Sequence, residues 1–288
     1  MNGTLKSLWD EGTNILQEAG VKEASLDARY LLLEAFDTDL THYLLESTSQ
    51  LSDDEAISAC VFRYWQMIKT RSKRIPLQQI IGKTEFMGLE FHINEFVLIP
   101  RQDTETLVEL ILKDYKGRKP AVLDMCTGSG CIAVSLAKLG GFDTVTAVDI
   151  SKEALRVAKQ NADINLGEDK INFMESDLFS SLHEFSKFDL IVSNPPYIPT
   201  SVIEGLEPEV RDHEPKIALD GEEDGLKFYK KLVLDSKTYL NRGGSVYFEI
   251  GYDQKEAVSR LFKDAGYHKI RAVKDAAGLD RVVCAVME

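Results

Sequence analysis

The feature that most restricts the fold is an alternation that starts near Pro100 and runs to the end of the chain. Six apolar runs, AVLDM, TVTAVDI, INFME, FDLIVSN, GSVYFEIG and RVVCAVM, have strand length, and helical patterns follow most of them. Strand–helix alternation of this kind builds a mainly parallel sheet covered on both faces, an α/β fold. In such open sheets ligands bind beyond the carboxyl ends of the strands. The residues that close each run are therefore the first place to look for chemistry.

Two of those ends form a pair. The first run passes Asp124 into Cys126, Thr127, Gly128, Ser129 and Gly130, and a helix begins near Cys131. Glycine at a strand-to-helix turn lets the backbone approach a ligand closely, because no Cβ stands in the way. About twenty residues further on, the spacing usual for such folds, the second run ends at Asp149. An acid there accepts hydrogen bonds from the hydroxyls of a ribose, so the pair points to a nucleoside-containing cofactor. A dinucleotide fingerprint would carry a third glycine, but Val134 occupies that neighbourhood. The turn suits S-adenosylmethionine, whose methionine part it would wrap, better than NAD. The competing reading is a glycine turn that serves packing alone.

The fourth run ends differently. DLIVSNPPYIPT, Asp189 to Thr200, stops a buried strand at Ser193 and continues with Asn194, Pro195, Pro196 and Tyr197. The Asn194 side chain offers an acceptor oxygen and a donor NH2. Proline fixes φ and has no N–H, so two in succession hold a rigid loop and leave the Pro195 carbonyl as an acceptor. Tyr197 adds a flat face for a planar group. Two acceptors so placed fit the NH2 of an amide or of an exocyclic base amine. Such a nitrogen is a poor nucleophile. Hydrogen bonds to both of its protons orient its lone pair toward a donor methyl and stabilise the charge that develops on it. A strong general base is not needed before attack. The competing reading is a plain proline loop with Asn194 as a turn residue.

Residues 1–74 read as a helical bundle. Leu5, Leu8, Trp9, Ile15 and Leu16 fit one face of a helix ended by Ala19-Gly20. Leu26, Tyr30, Leu32 and Leu33 mark a second helix, and a third opens with a capping box, Ser52 and Glu55, with Leu51 as a staple. The basic run KTRSKR, Lys69 to Arg74, reads as a solvated helix end whose cations complement the helix dipole. Residues 75–99 carry β-branched and aromatic residues broken at Gly82 and Gly88, a β-hairpin linker. Residues 100–288 form the α/β domain.

Composition excludes several classes. The net charge of −13 argues against a protein that grips long nucleic acids, which needs a basic surface. No apolar run is long enough for a membrane span, and the start of the chain lacks a signal-peptide pattern. Cys60, Cys126, Cys131 and Cys284 show neither CxxC pairing nor metal-ligand spacing. The expectation is a cytoplasmic protein with reduced thiols and no metal, acting as a monomer.

Four further residues are candidates. Arg101 and Glu105 sit at a helix entry, where they either close over the methionine end of the cofactor or simply cap the helix. His213, beside Glu214, lies in the long segment after Tyr197, which reads as a substrate-binding flap. Glu249 ends the VYFEI run and hydrogen-bonds within the rim.

An ordered set of segments, IGKTEFMGLEF, VLIPRQDTE, LDMCTGSG, AVDIS, SDLF, SNPPYI, VRDHEPKIALDGEEDGL and FEIGYDQ, resembles the HemK/PrmC protein-(glutamine-N5) methyltransferases over nearly the whole chain. That resemblance implies a Rossmann-like class I methyltransferase fold, with a mostly parallel seven-stranded sheet and an antiparallel last strand. It implies S-adenosylmethionine contacts at Cys126 through Gly130, at Asp149, at the position of Leu178 and at Asn194. Substrate contacts fall at Asn194, Pro195, Pro196 and Tyr197, and the partner is the Gly-Gly-Gln glutamine of class 1 peptide chain release factors. The bundle and hairpin would help hold that partner. Cys126, Gln102 and Leu178 depart from a commoner glycine, proline and aromatic residue. Three other activities remain: a sister enzyme acting on a glutamine of a large-subunit ribosomal protein, a nucleic-acid amino methyltransferase, and an NAD-dependent oxidoreductase. A cofactor-binding adaptor without catalysis is a further alternative.

Overall fold

The structure, a computed structural model, describes residues 3–288. The chain separates into two compact units. One contains the residues up to Gly82 together with Glu207–His213, and the other contains Lys83–Leu206 and Glu214–Glu288.

The first unit is built from α1 (Leu5–Glu18), α2 (Ala24–Ala35), α3 (Leu40–Glu46), α4 (Glu55–Arg71) and α5 (Leu77–Ile81). Thr4 caps α1 by accepting from Ser7 N at 3.1 Å, and Leu5, Leu8 and Leu16 are buried along its inner face. α2 turns a face of alanine and leucine inward. Ala24, Ala28, Leu31, Leu32 and Ala35 are buried, whereas Leu26 and Tyr30 are 38% and 47% exposed. The alanines recur at helical spacing and let α1 and α4 approach closely, so a small-residue stripe outcompetes the bulkier one. The expected capping box is also replaced. Asp54 caps α4, accepting from Ile57 N at 2.8 Å, and the Ser52 hydroxyl bonds to Asp54 instead.

KTRSKR is not a solvated helix end throughout. Arg71 is buried and donates through Nε to Asp27 Oδ2 at 2.7 Å and through Nη2 to Glu209 Oε1 at 2.8 Å. Arg74 donates to both oxygens of the same Glu209, at 2.7 and 2.6 Å. Burial pulls the Glu209 carboxyl upward, but hydrogen bonds from Arg74 and Arg71 outweigh it and hold the carboxyl down at about 2. A short segment from far along the chain is thus anchored by charge in the bundle.

The second unit opens with a hairpin of β1 (Lys83–Phe86) and β2 (Leu89–His92), turning through Met87 and Gly88, both at positive φ. Two such residues make the turn that matches strand twist. The hairpin is shorter than the span 75–99, since residues 77–81 are helical. After α6 (Gln102–Asp114) come β3 (Ala121–Met125), α7 (Cys131–Gly140), β4 (Thr144–Asp149), α8 (Lys152–Leu166), β5 (Asn172–Glu175) and β6 (Phe188–Ser193). Then follow α9 (Thr200–Ile203), α10 (Pro208–Arg211, in the first unit), α11 (Lys227–Tyr239), β7 (Leu240–Glu249), α12 (Lys255–Asp264), β8 (His268–Lys274) and β9 (Asp280–Val286).

Seven strands lie in the order β5-β4-β3-β6-β7-β9-β8. The pairs from β5 through β7 are parallel, and β9 is antiparallel to both of its neighbours. This is the class I methyltransferase fold. One core cluster includes Leu107, Ile111, Val134 and Ala147, and another includes Ile191, Tyr229, Leu232, Phe248 and Phe262. Chain order reverses at β3, with β4 on one side and β6 on the other, which opens a crevice at their carboxyl ends. Among the described residues no helix is long and apolar enough to cross a membrane.

Candidate active site

A cavity of about 520 Å³ occupies that crevice. Cys126, Thr127, Gly128, Ser129, Asp149, Leu178, Asn194 and Pro196 all line it, so the ends of β3, β4 and β6 converge as their positions in the sheet require. Gly130, Pro195 and Tyr197 are not among its lining residues.

The glycine turn and the acid form one hydrogen-bonded piece. Gly128 N donates to Asp149 Oδ2 at 2.8 Å and Ser151 N to Asp149 Oδ1 at 2.9 Å. Burial raises the Asp149 carboxyl, and these N–H donors pull it back down. Each oxygen keeps a further lone pair for a ligand. Gly128 has φ +55 and would meet no protein atom with an added Cβ, whereas a Cβ on Gly130 would come within 3.0 Å of Ala158 on α8. One glycine therefore leaves room for a ligand, and the other permits helix packing. Cys126 and Leu178 adopt the left-handed region at φ +62 and +51, where glycine is ordinarily favoured. Burial pushes the Cys126 thiol up and Cys131 up to about 12, so neither is a thiolate near neutral pH.

Behind the turn, Asp124 accepts from the Thr127 hydroxyl at 2.6 Å and from Ala133 N at 3.2 Å. Burial pushes this carboxyl up to about 7. It ties the turn to the first residues of α7, a role not evident from its place at the end of a run. The fit to S-adenosylmethionine rests on three features: a cavity of ligand size, a carboxylate with spare acceptor capacity, and a glycine facing open space.

At the β6 end, Asn194 Nδ2 donates to Thr104 Oγ1 at 3.3 Å. Asn194 Oδ1 and the Pro195 carbonyl accept no hydrogen bond among the described residues. Tyr197 is turned inward, its hydroxyl donating to Glu249 Oε1 at 3.3 Å. Its carbonyl accepts from Gln254 Nε2 at 2.9 Å. The following segment closes over this loop: Ile198 N donates to Leu219 O and Gly221 N to Ile198 O. Added Cβ atoms on Gly221 and Gly225 would strike the Tyr197 backbone at 2.8 and 2.4 Å. The glycines of DGEEDGL are thus required by contact with the NPPY loop.

The remaining candidates divide. Arg101 lines the cavity and donates from Nη2 to both oxygens of Glu214, at 2.7 and 2.6 Å. Burial raises Glu214, and the Arg101 charge opposes it. Glu105 points elsewhere, accepting from Met87 N at 2.6 Å and so holding the hairpin turn. His213 Nε2 lies 3.3 Å from Lys73 O, within the helical unit. Pro215, Lys216, Ile217 and Ala218 line the cavity. Thr104, inside the VLIPRQDTE segment, went unnoticed because nothing in its neighbourhood marks it as a partner of Asn194.

The chain is similar to known proteins over nearly its whole length. The family description "PrmC N-terminal domain" matches residues 7–82, and "Methyltransferase small domain" matches residues 102–204. A release factor glutamine methyltransferase of Geobacter sulfurreducens is 41% identical, over 97% of this chain and 95% of its own. That of Clostridium botulinum is 38% identical, over 97% and 98%. A methyltransferase from Pyrococcus furiosus superposes with a TM-score of 0.53 at 19% identity, covering 70% of this chain and 90% of its own, a likeness of fold. The chain belongs to the release factor glutamine methyltransferase family.

Proposed function

We propose that this protein transfers the methyl group of S-adenosylmethionine to the side-chain amide nitrogen of the glutamine in the Gly-Gly-Gln motif of class 1 peptide chain release factors. The observation that carries this reading is the state of Asn194. Its amide lines the cavity with Nδ2 engaged by Thr104 and Oδ1 unengaged, so it offers an acceptor. A carboxamide NH2 is the complementary donor.

S-adenosylmethionine supplies the electrophilic methyl carbon when bound. In this reading Asp149 would take the ribose hydroxyls, the turn from Cys126 to Gly130 would wrap the methionine part, and Leu178 would stand beside the adenine. Asn194 Oδ1 and the Pro195 carbonyl would accept the two N–H bonds of the substrate amide and Pro196 would confine its plane, while Tyr197, held inward by Glu249, would support the loop from behind. Both acceptors gain strength as positive charge grows on the nitrogen, which favours the transition state over the ground state. The N–C bond would form as the methyl–sulfur bond breaks, and the nitrogen would then give its proton to water, since no histidine lines the cavity among the described residues.

The helical unit is read as the release-factor holder. Leu44, Leu45 and Phe62 are 67, 77 and 65% exposed there, which supports a contact role. We also read the chain as a cytoplasmic monomer that needs no nucleic acid.

The test is mass spectrometry of a release factor after incubation with the enzyme and S-adenosylmethionine, run beside a large-subunit ribosomal protein, tRNA and duplex DNA. One added methyl on the Gly-Gly-Gln glutamine is expected. Methylation confined to the ribosomal protein or to nucleic acid would overturn the reading.

A further inference from the structure

We propose that Gln254 is a positioning residue: its buried side-chain amide fastens the Tyr197 carbonyl and so fixes where Asn194 and Pro195 stand against the methyl donor. This rests on the methyl-transfer reading above and adds how the loop that carries it out is held.

Gln254 immediately precedes α12 and is 8% exposed. Its amide makes three hydrogen bonds, each to backbone. Nε2 donates to Tyr197 O at 2.9 Å and to Gly225 O at 3.3 Å, and Oε1 accepts from Gly251 N at 2.9 Å. The amide cannot be reversed, because a carbonyl only accepts and a backbone N–H only donates. Three segments therefore meet on one side chain: the loop after β6, the residues that lead into α11 and the turn after β7. Glycine makes this approach possible. A Cβ on Gly225 would come within 2.6 Å of Gln254 Nε2, and one on Gly251 within 3.0 Å of Gln254 Oε1.

The loop needs such a fastening. Proline has no N–H, so across Pro195 and Pro196 the backbone can be gripped only through carbonyls. The Pro195 carbonyl is read as an acceptor for substrate, and Tyr197 O is the carbonyl that Gln254 takes. Gln254 does not line the cavity, whereas Asn194 and Pro196 do, so its effect on transfer passes through the loop. The attacking nitrogen must point at the methyl carbon, and a misplacement of about 1 Å can cost about 100-fold in rate. The bond to Gly225 ties the same loop to the start of α11, where Lys227 and Phe228 line the cavity. What distinguishes a positioning donor from a plain structural bracket is that the rate should follow the donor's proton.

The test compares full-length wild type with Gln254→Met and Gln254→Glu. Methionine is of similar length but has no donor, so kcat for release-factor methylation should fall by about 10- to 100-fold in Gln254→Met. Calorimetric affinity for S-adenosylmethionine should stay within about threefold of wild type in both variants, which also shows them folded. The carboxyl of Gln254→Glu still accepts from Gly251 N, but it can donate to Tyr197 O only when protonated. Burial raises such a carboxyl, so the ratio of its kcat to that of wild type should fall as pH rises between about 6 and about 9. The ratio cancels any titration the two proteins share. A second readout does not depend on turnover. Tyr197-Ile198 is the only Tyr-Ile step in the chain, so carbon-13 at tyrosine carbonyls with nitrogen-15 at isoleucine isolates one NMR signal for the Tyr197 carbonyl. That signal should shift in Gln254→Met, and in Gln254→Glu it should return toward the wild-type position as pH falls. Wild-type kcat in both variants would overturn the proposal, as would a kcat ratio that stays flat with pH or an unmoved carbonyl signal. Cofactor affinity lost along with rate would overturn it too, since the amide would then hold the fold as a whole. A wild type that methylates no release factor would defeat the proposed function, and the carbonyl signal would still decide whether Gln254 holds the loop.

Discussion

Gly128 N and Asp149 Oδ2 are 2.8 Å apart, so the turn after β3 and the acid that ends β4 are one hydrogen-bonded unit. Asp149→Ala removes both an acceptor for the cofactor and the bond that shapes the turn. Charge-assisted hydrogen bonds contribute about 1.5–3 kcal/mol each, so affinity for S-adenosylmethionine should fall by about 100-fold or more. Isothermal titration calorimetry measures this directly.

Asn194→Ala separates binding from chemistry. Cofactor affinity should change by less than about threefold, because the turn and Asp149 remain. Methyl transfer should fall by about 100- to 1,000-fold, the cost typical of removing one group that stabilises developing charge. Single-turnover transfer with labelled cofactor gives the rate.

A pH dependence follows from burial at Glu249. Burial raises this carboxyl from 4.5 to about 7, while the charge of Arg281 and the hydrogen bond from the Tyr197 hydroxyl oppose the rise, and Asp103 adds to it. The ionised form accepts the Tyr197 hydroxyl, which fixes the tyrosine of the loop that carries Asn194. Activity should therefore climb as pH rises through about 7 and level off above it. The step should be missing from the kcat profile of Glu249→Gln.

Glu209 should anchor Glu207–His213 to the bundle. Its folded value of about 2 lies below the ordinary 4.5, so its contribution is full above 4.5 and is lost as pH falls through 2. In Glu209→Ala, Arg71 keeps Asp27 but Arg74 loses its bidentate partner. Because Glu209 is partly open to solvent, the cost is nearer that of a screened pair than of a buried one. Amide exchange across 207–213 at neutral pH should speed up by about 10-fold.

Much of the site was legible because strand ends in a parallel sheet share one rim. Once the runs ending near Cys126, Asp149 and Asn194 were read as neighbours, their convergence followed from topology. The strand β8 was not among the runs, since it lies at the sheet edge with a largely exposed pattern that gives little apolar signal. The second helix was legible from its leucines, but its inward face was not, because alanines at helical spacing carry little apolar signal although close helix packing prefers them.

Local chemistry in the sequence was enough to determine the strand–helix rhythm, the glycine turn and its acid, and a rigid asparagine–proline loop, because each depends on neighbours in the chain. Tertiary structure decided which distant groups complete them. It brought Thr104 to Asn194, Glu249 to Tyr197, Gly221 and Gly225 to the Tyr197 backbone, and Glu209 to Arg71 and Arg74. Those pairs are separated by between 24 and 138 positions, and hydrogen bonds and steric contact act only over a few ångströms. Their partners are therefore fixed by the path of the folded chain, which no local pattern records.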